Sequence, residues 1–211
     1  MKQSGCSSMR ELIEVLRDPS QTSDLREEAA RVLGHSKCRE ALGALSYGLD
    51  DPVPEIALAS AWALQGMQSR SATKPLLRVI RGRGQYSDRL RLEAIVAMWE
   101  IGDQRAEADL IRVSSAVGIE DEYARDRATE ALSRTIHRRK SQRAIAARLF
   151  DPSPLVRYSA LCACGGLGRP PEFLLRAVTA KLDDPDRIDD HRVIATQAAN
   201  RLLSWNSTDH C

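Results

Sequence analysis

The residues of this chain with a capacity for chemistry are few and scattered. Its four histidines, His35, His137, His191 and His210, stand singly. The five cysteines are Cys6, Cys38, Cys162, Cys164 and Cys211. An odd number without paired C-x2-C elements matches no disulfide framework and fits a reducing compartment. Cys162 and Cys164 are close enough to share an ion, yet Cys164 falls at a core position of the pattern below. A thiol buried there acts as a small apolar group. No P-loop, G-x-G-x-x-G or G-x-S-x-G occurs. The expectation is no catalytic residue, no metal and no cofactor.

The most regular polar feature is an arginine that recurs. Arg26, Arg91, Arg125, Arg157 and Arg192 fall at equivalent places, with Ala57 the exception. Asp-Pro dipeptides recur with them, at Asp18, Asp51, Asp151 and Asp184; the first two and the last two are each 33 residues apart. Two readings follow. The arginines form a basic ladder for phosphates or an acidic peptide, or each grips the aspartate just before it (Asp18, Asp151, Asp184) through a two-pronged guanidinium–carboxylate bond.

The elements that must position these residues are helices. Apolar residues make up 43% of the chain and aromatic ones only 4%, a balance of Ala and Leu that favours helix over strand. Three places after each column residue stand Ala29, Ser60, Ala94, Ala128, Ala160 and Ala195. Seven places after stand Leu33, Leu64, Met98, Leu132, Cys164 and Ala199. Such steps draw one face of an α-helix. Shorter amphipathic helices come between, over 9–17, 39–49, 73–81, 105–115, 142–150 and 172–182. Glycines at Gly34, Gly66, Gly102 and Gly168 mark the turns. The expected fold is all-α, about six antiparallel helix pairs in one domain over 9–205. The units run 9–36, 37–69, 70–103, 104–137, 138–169 and 170–205, with 1–8 flexible and 206–211 frayed.

The segment DPSPLVRYSALCACGGLG, Asp151 to Gly168, resembles the HEAT repeat in its bacterial phycobilisome-lyase subclass, DP-x-x-x-VR-x-x-A-x-x-AL-x-x-LG. The resemblance covers about 9–205. It implies a right-handed α-solenoid of the armadillo type, with the second helix of each pair on the concave side. It also implies that the Asp–Arg pairs are a structural ladder tying units together. On activity it says little. Bilin lyase subunits, working as one half of a heterodimer, are one alternative it raises, and nucleic-acid-binding HEAT proteins are another. HEAT-type di-iron hydroxylases use His-Glu dipeptides, which this chain lacks.

On the second helices, the positions facing away from the Ala/Leu core vary from unit to unit, as expected of a surface that serves something other than the fold. They place Leu58, Trp62, Leu92, Val96, Trp99 and Tyr158 on one face, a candidate partner-binding patch with the Trp and Tyr content of binding hot spots. Glu27, Glu28 and Arg31 flank it on one side, and Asp126, Arg127, Glu130 and Arg134 on the other. An apolar middle with mixed charge at its rim suits a protein or peptide. Lys and Arg total 31 against 29 Asp and Glu, so no single-sign track serves a phosphate backbone. The basic runs His137–Lys140 with Arg143, and Arg78, Arg81 and Arg83, read as solvated turns. No run approaches 18 apolar residues and none near Met1 resembles a signal peptide. The expectation is a cytoplasmic, non-catalytic adaptor or scaffold, a monomer or one half of a heterodimer, with nucleic acid disfavoured and no membrane partner.

Overall fold

The computed structural model describes residues 4–36, 38–82, 85–116, 122–165, 167, 171–182 and 200. Among them are eleven α-helices and no strand: α1 (Ser4–Arg17), α2 (Ser23–Ser36), α3 (Ala41–Gly48), α4 (Pro54–Gly66), α5 (Thr73–Arg81), α6 (Asp88–Glu100), α7 (Ala106–Ser114), α8 (Glu122–Ser133), α9 (Arg139–Arg148), α10 (Pro154–Gly165) and α11 (Glu172–Leu182). A single 3-10 turn, Arg70–Ala72, leads into α5. Helix α1 starts at Ser4, inside the stretch 1–8 expected to be flexible. Asp184, Arg192, the helix expected to close the sixth pair, Trp205 and the tail 206–211 lie outside the described residues.

The chain divides into two compact units, Met1–Ala106 and Glu107–Cys211, where the sequence reading has one domain. In the first, α2 packs on α4 and α4 on α6, while α1 packs on α3; in the second, α8 packs on α10 and α9 on α11. In the first unit α2, α4 and α6 thus form one layer, with α1 and α3 packed together beside it; in the second, α8 with α10 and α9 with α11 do the same. The repeated apolar columns are the seam. Ala94, Ala128 and Ala160 are fully buried, and so are Leu33, Leu64, Leu132 and Cys164 seven places after their column residues.

Local chemistry sets where the helices begin and end. Asp51 and Asp151 precede α4 and α10, and each accepts a hydrogen bond at 3.0 Å from the backbone N–H two residues on, at Val53 and Ser153. Pro54 and Pro154 then occupy the first helical position, where a missing N–H costs nothing. Ser87 caps α6 by accepting from Leu90 N–H at 3.2 Å. At the other end of α6, Gly102 takes a φ of 88°. Its N–H donates to Trp99 O at 2.9 Å and Asp103 N–H donates to Met98 O at 2.9 Å, the paired bonds of a Schellman ending.

The arginine ladder runs in a different register from the one expected. Arg26 pairs with Asp51, not Asp18, and Arg125 pairs with Asp151 at 3.0 Å. These two arginines therefore reach forward to the aspartate of the next repeat, whereas Arg91 pairs with Asp88 on its own helix at 3.0 Å. Further bonds go back to the end of the pair's first helix: Arg26 donates through Nε to Leu16 O at 3.1 Å, and Arg91 donates to Ile80 O at 3.3 Å. Arg157 touches Asp151 only through backbone, donating to its carbonyl at 2.9 Å and to that of Pro152 at 2.8 Å. Asp18 spends its carboxylate locally on Ser20 and Gln21, and those bonds hold it below the usual carboxylate range. The register explains Ala57: the next turn, 82–87, contains no aspartate for an arginine there to reach. A different staple serves that junction. Asp50 accepts from Tyr86 Oη at 2.6 Å and from Arg78 Nη2 at 2.7 Å.

Candidate partner-binding groove

Helices α2 and α4 approach each other unusually closely because both carry small residues at the crossing. A Cβ added to Gly34 would sit 2.6 Å from Ala63 Cα. That proximity leaves a groove of about 250 Å³ along their outer edge, lined by Glu27, Arg31, Gly34, His35, Ala59, Trp62, Ala63 and Gly66. Its floor is Gly and Ala, and its apolar wall is Trp62, 42% exposed. The indole is fixed in place: Trp62 Nε1–H donates to Glu93 Oε2 on α6 at 3.0 Å, and Glu93 itself is fully buried. On the α2 wall, Arg31 Nε donates to Glu28 Oε2 at 2.8 Å. That bond keeps the Glu28 carboxyl below its ordinary range and holds the guanidinium proton more tightly. His35 Nδ1–H donates to Arg31 O at 2.8 Å.

Of the six residues assigned to the patch by sequence, only Trp62 and Tyr158 are exposed. Leu58, Leu92, Val96 and Trp99 are buried, Val96 completely. The reason lies in their helices. From Leu92 to Trp99 the one polar residue is Glu93, and from Ile56 to Leu64 the one polar residue is Ser60; helices so apolar leave little face to solvent, on α4 the narrow strip that carries Trp62. The groove residues Glu27 and Arg31 were assigned to the rim, whereas Gly34, His35, Ala59, Ala63 and Gly66 were not singled out as a surface. Glu93 was missed too, although a lone carboxylate one repeat beyond Trp62 in an apolar run was the available signal.

Tyr158 belongs to the second unit. There Cys162, one turn on, holds its hydroxyl above the usual phenol range. Ser159 Oγ donates to Asp126 at 2.6 Å, while burial pushes the Asp126 carboxyl up. Arg127 pairs with Glu130 at 3.0 Å. Cys164 is enclosed, and burial pushes its thiol up to about 12. It is a core residue. Among the described residues no three His, Cys, Asp or Glu side chains gather closely enough to hold a metal ion. Among them, too, no helix is long and apolar enough to cross a membrane.

Stacked helix pairs, an Asp-Pro turn and a forward-reaching arginine are joined by a match of residues 9–86 to the family model of HEAT repeats. The matched segment and the rest of the chain resemble solved repeat proteins. A designed armadillo repeat protein in complex with the peptide (KR)4 is 16% identical, with a TM-score of 0.60, over 92% of this chain and 99% of that one. A second designed armadillo repeat protein is 15% identical, with a TM-score of 0.54, over 92% and 99%. The complex of CpcE and CpcF of phycocyanin lyase from Nostoc sp. PCC7120 is 20% identical, with a TM-score of 0.55, over 94% of this chain and 83% of that one. At these identities the likeness is one of fold. A search of curated protein sequences finds no match.

Proposed function

We propose that this chain is a non-catalytic binding module, an adaptor or scaffold that holds a protein or peptide partner along its even-numbered helices. The observation that carries the proposal is Trp62: a large aromatic surface, immobilised by Glu93 and left open over a floor of Gly and Ala. An aromatic already held in place gives up little side-chain freedom on binding, which is the quality of a hot-spot residue. The same fold holds a peptide in one structural neighbour and belongs to a two-chain complex in another, and both precedents support the reading. In this proposal the repeats of 9–205 serve one cytoplasmic binding domain, acting alone or as one half of a heterodimer.

Selection of a random peptide display library on the purified chain tests it. Enriched peptides should compete with one another and lose binding to Trp62→Ala. A second variant guards against misfolding, since removing the indole takes a partner from buried Glu93. A Cβ on exposed Gly66 meets nothing closer than 3.7 Å, so Gly66→Gln is expected to fold and to fill the groove. If peptides bind Gly66→Gln undiminished, the groove is not the site.

A further inference from the structure

The groove beside Trp62 carries a charge preference as well as a shape. Among the described residues Glu27 makes no hydrogen bond or ion pair. Arg31, the cation on the same wall, is already matched by Glu28. His35 is tied through Nδ1 to a backbone carbonyl. The wall thus presents one unmatched carboxylate, with Trp62 as the facing aromatic and small side chains between them. Because Trp62 Nε1–H is taken by Glu93, what the indole offers a guest is its carbon π-surface, not a hydrogen-bond donor. The volume, about 250 Å³, falls below the roughly 300–1,000 Å³ of pockets for drug-sized ligands and suits one long side chain.

We propose that the groove takes an arginine or lysine side chain from an exposed segment of the partner protein. This inference rests on the binding reading of the same groove. The aliphatic stem would lie on the Gly34, Ala59, Ala63 and Gly66 floor. The cationic head would lie on the face of Trp62 within reach of Glu27, where ring quadrupole and carboxylate attract it together. Arginine is the better of the two, since a planar guanidinium stacks on an indole and pairs with a carboxylate by two bonds at once. An acidic guest meets like charge at Glu27. An aliphatic guest covers that carboxylate without satisfying it, which is costly.

The test titrates the 15N-labelled chain with the capped tripeptides Ac-Ala-Arg-Ala-NH2, Ac-Ala-Leu-Ala-NH2 and Ac-Ala-Glu-Ala-NH2, following the Trp62 indole and the Gly34 and Gly66 amide signals. The arginine peptide should move these signals at the lowest concentration. Glu27→Gln, a change on an exposed helix surface, should weaken it about fivefold and should not weaken the leucine peptide, which no longer covers a charge. If the leucine peptide binds as well as the arginine one, or Glu27→Gln changes nothing, the cation preference is overturned and the binding reading stands. If no peptide moves the groove signals at saturating concentration, both are overturned.

Discussion

Arg125 and Asp151 each keep only 3% of their side-chain surface, so neither charge has water to fall back on. Removing one partner strands the other, and Asp151 also holds the Ser153 N–H that starts α10. Asp151→Ala should therefore lower stability by about 3 kcal/mol, read from urea denaturation. Asp18→Ala, whose carboxylate makes only local bonds to Ser20 and Gln21, should shift the midpoint far less. Equal losses would show that the Asp-Pro aspartates act only as turn formers. The sequence suggests that a recurring arginine meets an Asp-Pro aspartate, and Arg26 and Arg125 each do; which aspartate each takes was not legible. Sequence adjacency favours Asp18 for Arg26, but a side chain on α2 lies nearer the start of α4, the helix it packs against, and so meets Asp51.

At the scale of the helix, the crossing of α2 and α4 turns a usual rule around. Replacing glycine by alanine within a helix ordinarily stabilises by up to about 1 kcal/mol. At Gly34 the new methyl would collide with the Ala63 backbone, 2.6 Å away, forcing the two helices apart at a cost of about 1–3 kcal/mol. Gly34→Ala should thus lower the thermal midpoint, and should weaken groove binding along with it; a raised midpoint would mean the crossing is looser than described. The helices themselves could be read from the apolar steps and the Gly and Pro punctuation. Their outward faces could not, because the same steps were applied to α4 and α6 as if one side were open. The near absence of polar residues between Leu92 and Trp99 was the better guide, and it marks a buried element.

Across the whole molecule, helices pack chiefly on those one or two places away in the chain. Folding stability in such arrays is shared between neighbours rather than spread over one common core. Hydrogen exchange on Asp151→Ala should accordingly show lost protection in α8, α9 and α10 while α2 and α4 keep theirs. Uniform loss across both units would argue for a single cooperative block. The alternation of helices was accessible from the Asp-Pro spacing and the apolar columns. The groove was not, since it exists only where two helices from successive repeats come within van der Waals reach, and its floor is made of residues whose distinction is their small size.

The forward reach of Arg26 to Asp51 and of Arg125 to Asp151 also bears on how such a chain can change over generations. Each bond has its donor in one repeat and its acceptor in the next, so what is inherited as a functioning whole is the junction, not the repeat. Loss of either member removes the reason to keep the other. At Ala57, followed by a turn without aspartate, both members are absent, and the Asp50–Tyr86–Arg78 contacts span that junction instead. Duplicating a repeat that carries both members creates a complete new junction. Deleting one preserves such a junction only where the flanking repeats still supply an arginine before and an aspartate after.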